Sequence, residues 1–186
     1  MEISDLTMKV RDKEILLRNA KVEDAQMLIH YLKVTCGETR FLAKEPEEVG
    51  MTVKQEEDFI KKCNESDRDL MILAFMDGEY IGNCSLSGNG SLRYRHRATI
   101  GIALYQKYTG MGIGRAMLET MIKIAKDKGY EQLELEVVAD NERAVLLYES
   151  LGFQIYGRFP DNMKYKDGTY ADAYWMMKKI IIFELY

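Results

Sequence analysis

The sequence predicts an α/β or α+β domain, a mixed sheet with helices covering it, and three features carry that prediction. Apolar residues alternate at first and change to helical spacing from Val22 onward. Asp77-Gly78 separates two apolar runs, Leu70 to Phe75 and Tyr80 to Leu86, and Asp-Gly is the strongest two-residue hairpin signal. From Ala98 onward, strand-like and helix-like segments alternate, the order from which helix-covered sheets are built.

Taken in order, Met8 and Val10, then Ile15, Leu16 and Leu17, read as strand pieces about a turn at Asp12-Lys13. Ala25, Leu28, Ile29 and Leu32 follow at helical spacing, with Glu23 and Asp24 in the first turn, where acids suit the helix dipole. Gly37 to Gly50 carries charge and Pro46 without periodicity, so it reads as a loop of a length that often serves function. Thr52 to Cys63 is a second helix closed by Asn64. After the Asp77-Gly78 hairpin, Gly88-Asn89-Gly90 is a turn and Ala98 to Leu104 a strand. A long helix (Ile113 to Lys128), a strand (Gln132 to Val138) and a short helix (Glu142 to Ser150) come next. Strands near Phe153 and from Tyr170 to Phe183 complete the chain, which shows no repeat and no low-complexity tract.

The totals exclude several classes. With 186 residues, 47% hydrophobic and 30% charged, the chain fits one globular domain, 1–186. A net charge of -4 argues against a protein that neutralises a nucleic-acid backbone. No apolar run approaches the roughly 18 residues of a membrane helix, and Met1 to Leu6 has no basic stretch leading into an apolar one, so a soluble, cytoplasmic protein is expected. Cys36, Cys63 and Cys84 lack a Cys-x-x-Cys pair, and with His30 and His96 they make no metal-ligand spacing. They read as bystander thiols, and no metal is implied.

Gly110-Met111-Gly112-Ile113-Gly114-Arg115 sits between an apolar strand and a helix whose apolar face is Ile113, Met117, Met121, Ile124 and Ala125. A helix start offers unpaired N–H groups and the positive end of the dipole, and glycines let a phosphate reach them. Arg115 adds a cation beside them. The stretch is not a P-loop, since it lacks Gly-Lys-Ser/Thr, and it fits G-x-G-x-x-G badly because Arg115 and Met117 stand where glycine would be needed. A ligand-free strand-to-helix turn is the plainer alternative. In the helix after it, Ala144, Leu147, Tyr148 and Leu151 form one apolar face ended by Gly152. There Asp140 or Asn141 reads as a cap and Tyr148 as a core aromatic.

Together, Ile102-Ala103-Leu104, Gly112-Ile113-Gly114-Arg115-Ala116, Asn141, Ala144, Leu147-Tyr148 and Gly152-Phe153 resemble the GNAT superfamily of acetyl-CoA-dependent N-acetyltransferases. The two motifs cover about a quarter of the chain. Within the superfamily the chain looks most like bacterial enzymes acting on ribosomal-protein alanines, polyamines or small amines. The resemblance implies a mixed central sheet of about six to seven strands with about four helices. It implies that Ile102, Ala103 and Leu104 pair with the pantetheine arm, and that Thr109, Gly110, Met111, Gly112, Ile113, Gly114 and Arg115 hold the pyrophosphate. Asn141 would bond the pantetheine side and Tyr148 would face the sulfur. Thr109 departs from the usual Gln or Arg at its place, which shifts the load to backbone and Arg115. Dimers are common in the superfamily, and nothing in the sequence decides the oligomeric state.

Acyl transfer from a thioester to an amine needs a neutral amine, a docked thioester, an oxyanion donor and a proton for the thiolate. A strand N–H among Ile102 to Leu104 serves as oxyanion donor on this reading, and Tyr148 as proton donor. Direct attack is expected, because no cysteine lies in the motifs. Glu134 and Glu136 alternate with Leu133, Leu135 and Val137 and so share one strand face, with Glu136 the favoured base and a solvated carboxylate the alternative. His96, within Arg93 to Arg97, is a base, a substrate contact, or part of a solvated basic edge. The acids of Glu38 to Glu48 and Glu56-Glu57-Asp58 suit a cationic acceptor, and Tyr156, Phe159, Tyr165, Tyr170 and Tyr174 would line its other wall. The rival class is a domain that senses acyl-CoA without turnover.

Overall fold

A computed structural model describes residues 1–180, so the predicted strand end through Phe183 lies outside the described residues. Strands β1 (Leu6–Val10) and β2 (Lys13–Asn19) form a hairpin with Leu6 opposite Leu17. Its turn holds Arg11 at φ 57, the left-handed conformation that two-residue hairpin turns require.

Helix α1 (Ala25–Glu38) follows a single 3-10 turn and buries Ala25, Leu28, Tyr31, Thr35 and Cys36. It includes Gly37 and Glu38, assigned by their sequence to the loop; burial of the preceding turn outweighs the low helix preference of one glycine. Helix α2 (Val53–Glu65) starts in a capping box, Thr52 accepting from the Gln55 N–H while the Gln55 side chain accepts from the Thr52 N–H. Asn64 does not close it. Its side-chain amide donates to the Ala20 carbonyl at 2.8 Å, a tertiary bond that keeps it helical.

Strands β3 (Asp69–Met76) and β4 (Glu79–Gly88) are joined at Asp77 (φ 53) and Gly78 (φ 79), the turn that Asp-Gly predicts. The register jumps from Phe75↔Tyr80 to Ala74↔Gly82, which makes Ile81 the extra residue of a bulge. The remaining elements are β5 (Arg97–Leu104), α3 (Ile113–Asp127), β6 (Gln132–Val138), α4 (Glu142–Ser150), β7 (Gln154–Lys164) and β8 (Tyr170–Lys179). The hydrogen-bonded order is β1-β2-β3-β4-β5-β6-β8-β7, eight strands among the described residues where six to seven were expected, with β5/β6 parallel. The ladders β1/β2, β2/β3, β3/β4, β6/β8 and β7/β8 are antiparallel, so the sheet is mixed.

The described residues divide into two compact units, 1–87 with 101–121, and 88–100 with 122–180. In the first, Ala25, Leu28 and Tyr31 of α1 pack with Ile60 and Cys63 of α2 on Met71, Leu73 and Tyr80. Leu70 and Ile72, alternating with these along β3, are fully buried too, which is why that strand reads as a continuous apolar run. In the second, β6 buries Leu133, Leu135 and Val137 and turns Glu134 and Glu136 to the opposite face. Strand β7 breaks register at Ile155/Gly157 and again at Phe159/Met163. Those breaks, with mostly exposed side chains, erase the period by which a strand is recognised, so only its start was foreseen.

Three buried tyrosines set an alkaline limit. Burial raises the phenols of Tyr31 and Tyr80 well above their usual range and pushes Tyr148 up to about 12. Since unfolded tyrosine titrates near pH 10, the unfolded chain releases these protons first, and stability must fall as pH rises from about 10 toward 12. Tyr148 alone accounts for about 2–3 kcal/mol across that window. A urea midpoint that drops steeply above about pH 10 is expected; one that stays level to about pH 11 contradicts it.

Candidate functional site

The site is built first from the end of β5. The register of β5 with β6 covers Arg97–Thr99 against Gln132–Glu134 and goes no further, so Ile102, Ala103 and Leu104 carry a backbone edge beyond the ladder. On the β4 side the approach is close. Gly82 has φ 152, and a Cβ there would lie 2.4 Å from the Ala103 carbonyl oxygen and 2.8 Å from the Leu104 Cα. The Tyr105 N–H donates to the Ile81 carbonyl at 3.1 Å, fastening the strand end at the bulge. Gly82 was not singled out from the sequence, although a glycine inside a predicted strand is itself a signal of a bulge or a close backbone approach.

A 3-10 turn, Gln106–Tyr108, leads from β5 to the glycines. The Lys107 ammonium and the Tyr108 hydroxyl each donate to Glu79 at 2.6 Å, which holds the turn and keeps the Glu79 carboxyl below its usual range. Thr109 donates its hydroxyl to the Gln106 carbonyl at 2.7 Å, so it shapes the loop. Gly110 (φ 79) and Gly112 (φ 89) are left-handed, and α3 begins at the next residue. The Ala116 N–H donates to the Gly112 carbonyl at 3.2 Å, and the N–H groups ahead of it have no acceptor inside the helix. Ile113 is buried and offers only its backbone, while exposed Arg115 pairs with Glu119 at 3.5 Å. The candidates from Ile102 to Arg115, Met111 and Gly114 included, thus form one continuous strand, turn and helix start.

Asn141, Tyr148 and Glu136 belong to the second unit. The Asn141 side chain accepts from the Ala144 N–H at 3.3 Å, the capping role foreseen for it, which leaves its amide hydrogens for other partners. Tyr148 is buried edge-on to Phe153, with ring centroids 5.8 Å apart. Glu136 is exposed and receives two neutral donors, the Trp175 Nε1–H at 2.9 Å and the Asn162 amide at 2.8 Å. Glu134 is matched by Arg97 at 3.1 Å and by the Gln132 amide at 2.5 Å. Trp175 lies between two rings, Phe159 at 5.8 Å and Tyr156 at 6.3 Å. Trp175 and Asn162 were missed. Trp175 is 39 residues from Glu136, and only the β6/β8 register sets them side by side.

Other candidates have local duties. The His96 carbonyl accepts from the Glu131 and Gln132 N–H groups at 2.7 and 3.1 Å, and Arg97 lies over the Tyr94 ring at 4.8 Å. The acids assigned to the acceptor are partly spent: Glu38 accepts from the Gln106 N–H, Glu48 from the Glu45 N–H, and Asp58 pairs with Lys54. Among the described residues, no helix is long and apolar enough to cross a membrane, and no cluster of His, Cys, Asp or Glu is arranged around a metal position. Cys36, Cys63 and Cys84 are buried free thiols.

A family model described as Acetyltransferase (GNAT) family matches residues 37–153, well over half of the chain. The chain belongs to the GNAT acetyltransferase family. A GNAT-family acetyltransferase structure from Streptococcus pneumoniae superposes with TM-score 0.85 at 30% identity, covering 89% of this chain and 99% of that one. An L-amino acid N-acetyltransferase of Escherichia coli is 29% identical over 110 residues, 58% of this chain and 66% of its own length. The alanine N-acetyltransferase of ribosomal protein bS18 from Escherichia coli is 39% identical over 84 residues, 41% of this chain and 57% of its own. Neither match reaches two thirds of the relative's length. The GNAT assignment accounts for the chain's alternation of helix and strand after β5.

Proposed function

We propose that this GNAT chain transfers an acetyl group from acetyl-CoA to a primary amine by direct attack in a ternary complex, residues 1–186 acting as one acetyltransferase domain. One observation carries the reading: two left-handed glycines, Gly110 and Gly112, stand between a free strand edge and a helix start. The residues fit the cosubstrate. A side chain at either glycine would be strained, and the N–H groups from Gly110 to Arg115 meet an anion without one in the way. Arg115 adds charge, and the edge of Ile102, Ala103 and Leu104 takes the amide-bearing pantetheine arm as an added strand. Asn141 donates its amide hydrogens to that arm.

Glu136 takes the proton of the acceptor ammonium, since a carboxylate with two donors bound still has lone pairs to offer. A backbone N–H of the Ile102 to Leu104 edge faces the developing oxyanion. Tyr148, with its phenol pushed up to about 12, stays neutral at working pH. Handing its proton fully to a thiolate of pKa about 8.5 is uphill by about 5 kcal/mol, so it donates a hydrogen bond to the sulfur as the C–S bond breaks, and the departing thiolate takes up the second proton that the acylated nitrogen gives up. The two Escherichia coli relatives are named for acetylating L-amino acids and a ribosomal-protein alanine, and a small-molecule or peptide amine is proposed here.

The test is release of free thiol from acetyl-CoA against polyamines, amino acids, arylalkylamines and alanine- or lysine-bearing peptides. Acceptor-dependent release is expected, with Tyr148→Phe lowering kcat by about tenfold to a hundredfold and leaving acetyl-CoA affinity nearly unchanged. Tight acetyl-CoA binding without release for any amine would move the assignment to a sensor domain.

A further inference from the structure

The face of β6, β7 and β8 that carries Glu136 also carries an exposed aromatic strip. Tyr156, Trp175 and Phe159 are 53%, 39% and 45% exposed, so a ligand that reaches this face meets aromatic surface. Phe159 and Trp175 are inclined by only 11°, and Tyr156 and Trp175 by 27°, so the three lie nearly parallel. Gly157 makes this possible: a Cβ there would lie 3.0 Å from Trp175 Cε3, and without one the indole lies flat on the strand. The Trp175 ring is tied to the carboxylate by its own Nε1–H at 2.9 Å. Tyr156 is near the acids too, its phenol raised by burial first, then by Glu134, with Arg97 opposing and Glu136 adding to the rise.

Charge along the strand is uneven. Glu134 is already matched by Arg97, whereas Glu136 has neutral donors and no cationic partner among the described residues. One uncompensated carboxylate beside a flat apolar strip calls for one cation on a flat apolar body. We propose that this face binds the acceptor as a monocationic amine with an aromatic body, its ammonium on Glu136 and its ring on the strip of Tyr156, Trp175 and Phe159. This rests on the acetyl-transfer reading and names the acceptor class it uses. A polyamine finds one charge matched by Glu136 and brings no flat body to lay on the rings; a short alkylamine finds its charge matched and the strip unused.

Trp175 is the only tryptophan of the chain, so its emission reports on the strip without turnover. The full chain, with and without coenzyme A, is titrated with phenethylamine, ethylamine and spermidine, and acetyl transfer to each is measured separately. Saturable emission change is expected for phenethylamine at roughly tenfold lower concentration than for the other two. Phe159→Ala, which leaves both donors to Glu136 in place, is expected to weaken phenethylamine about fivefold and ethylamine less than about twofold, in KM more than in kcat. Tighter spermidine binding overturns the proposal, as does an emission that follows protein concentration alone, the sign of a second copy covering the strip. Acetyl transfer to another amine with no response to phenethylamine overturns the acceptor class and leaves the transferase standing. Saturable phenethylamine binding with no transfer to any amine upholds the strip as an amine site and removes the transferase.

Discussion

Glu136→Gln is expected to lower kcat/KM for amine acetylation by about 10²–10⁴ at neutral pH while leaving acetyl-CoA binding unchanged. The amide keeps the size of the carboxylate but cannot take a proton, and an alkylammonium near pKa 10 must lose one before it attacks. The deficit should shrink as pH rises, because free amine forms in solution and the variant's rate climbs about tenfold per pH unit toward 10. The wild-type rate should climb less steeply. Steady-state pH profiles of the two chains separate this from a positioning defect, which would lower both curves in parallel. A variant within about threefold of wild type would remove Glu136 from proton transfer.

Gly82→Ala is expected to cost more than about 3 kcal/mol of stability. The new Cβ meets backbone on β5, 2.4 Å from the Ala103 carbonyl oxygen and 2.8 Å from the Leu104 Cα, where no rotamer change relieves it. The left-handed φ of 152 adds strain of its own. Gly101→Ala is the contrast, since its Cβ would meet only the Ser85 hydroxyl at 3.3 Å. Urea midpoints of the two variants check it, and equal midpoints would contradict the close approach of the strands. In folded Gly82→Ala the KM for acetyl-CoA should rise as well, because Ala103 and Leu104 must shift.

What the residues disclosed depended on how local the cause was. Asp77-Gly78 fixed its hairpin, and β6 and α4 begin and end where alternation and the Asn141 cap and Gly152 stop put them, because period and punctuation act within a few residues. The Gly110–Gly112 turn was legible for the same reason. Asn64 misled because its deciding partner, the Ala20 carbonyl, is 44 residues away. Neither β7, whose breaks hide its period, nor the meeting of Glu136 with Trp175 and Asn162 could be read without the β6/β8/β7 register. Glu136 could be placed on a strand face, but its surroundings come from the far end of the chain.

The parallel junction of β5 with β6 is held by three residue pairs, and beyond Thr99 the β5 backbone is an unfinished edge. Such edges invite pairing with other chains, and proteins ordinarily blunt them with charge or proline. Here Ile102, Ala103 and Leu104 bring neither. On the proposed docking, the pantetheine arm completes the ladder, so coenzyme A seals the edge whether or not it carries an acetyl group: the total pool of the coenzyme sets how much of the protein has its edge covered, and its acetylated share sets how much can turn over.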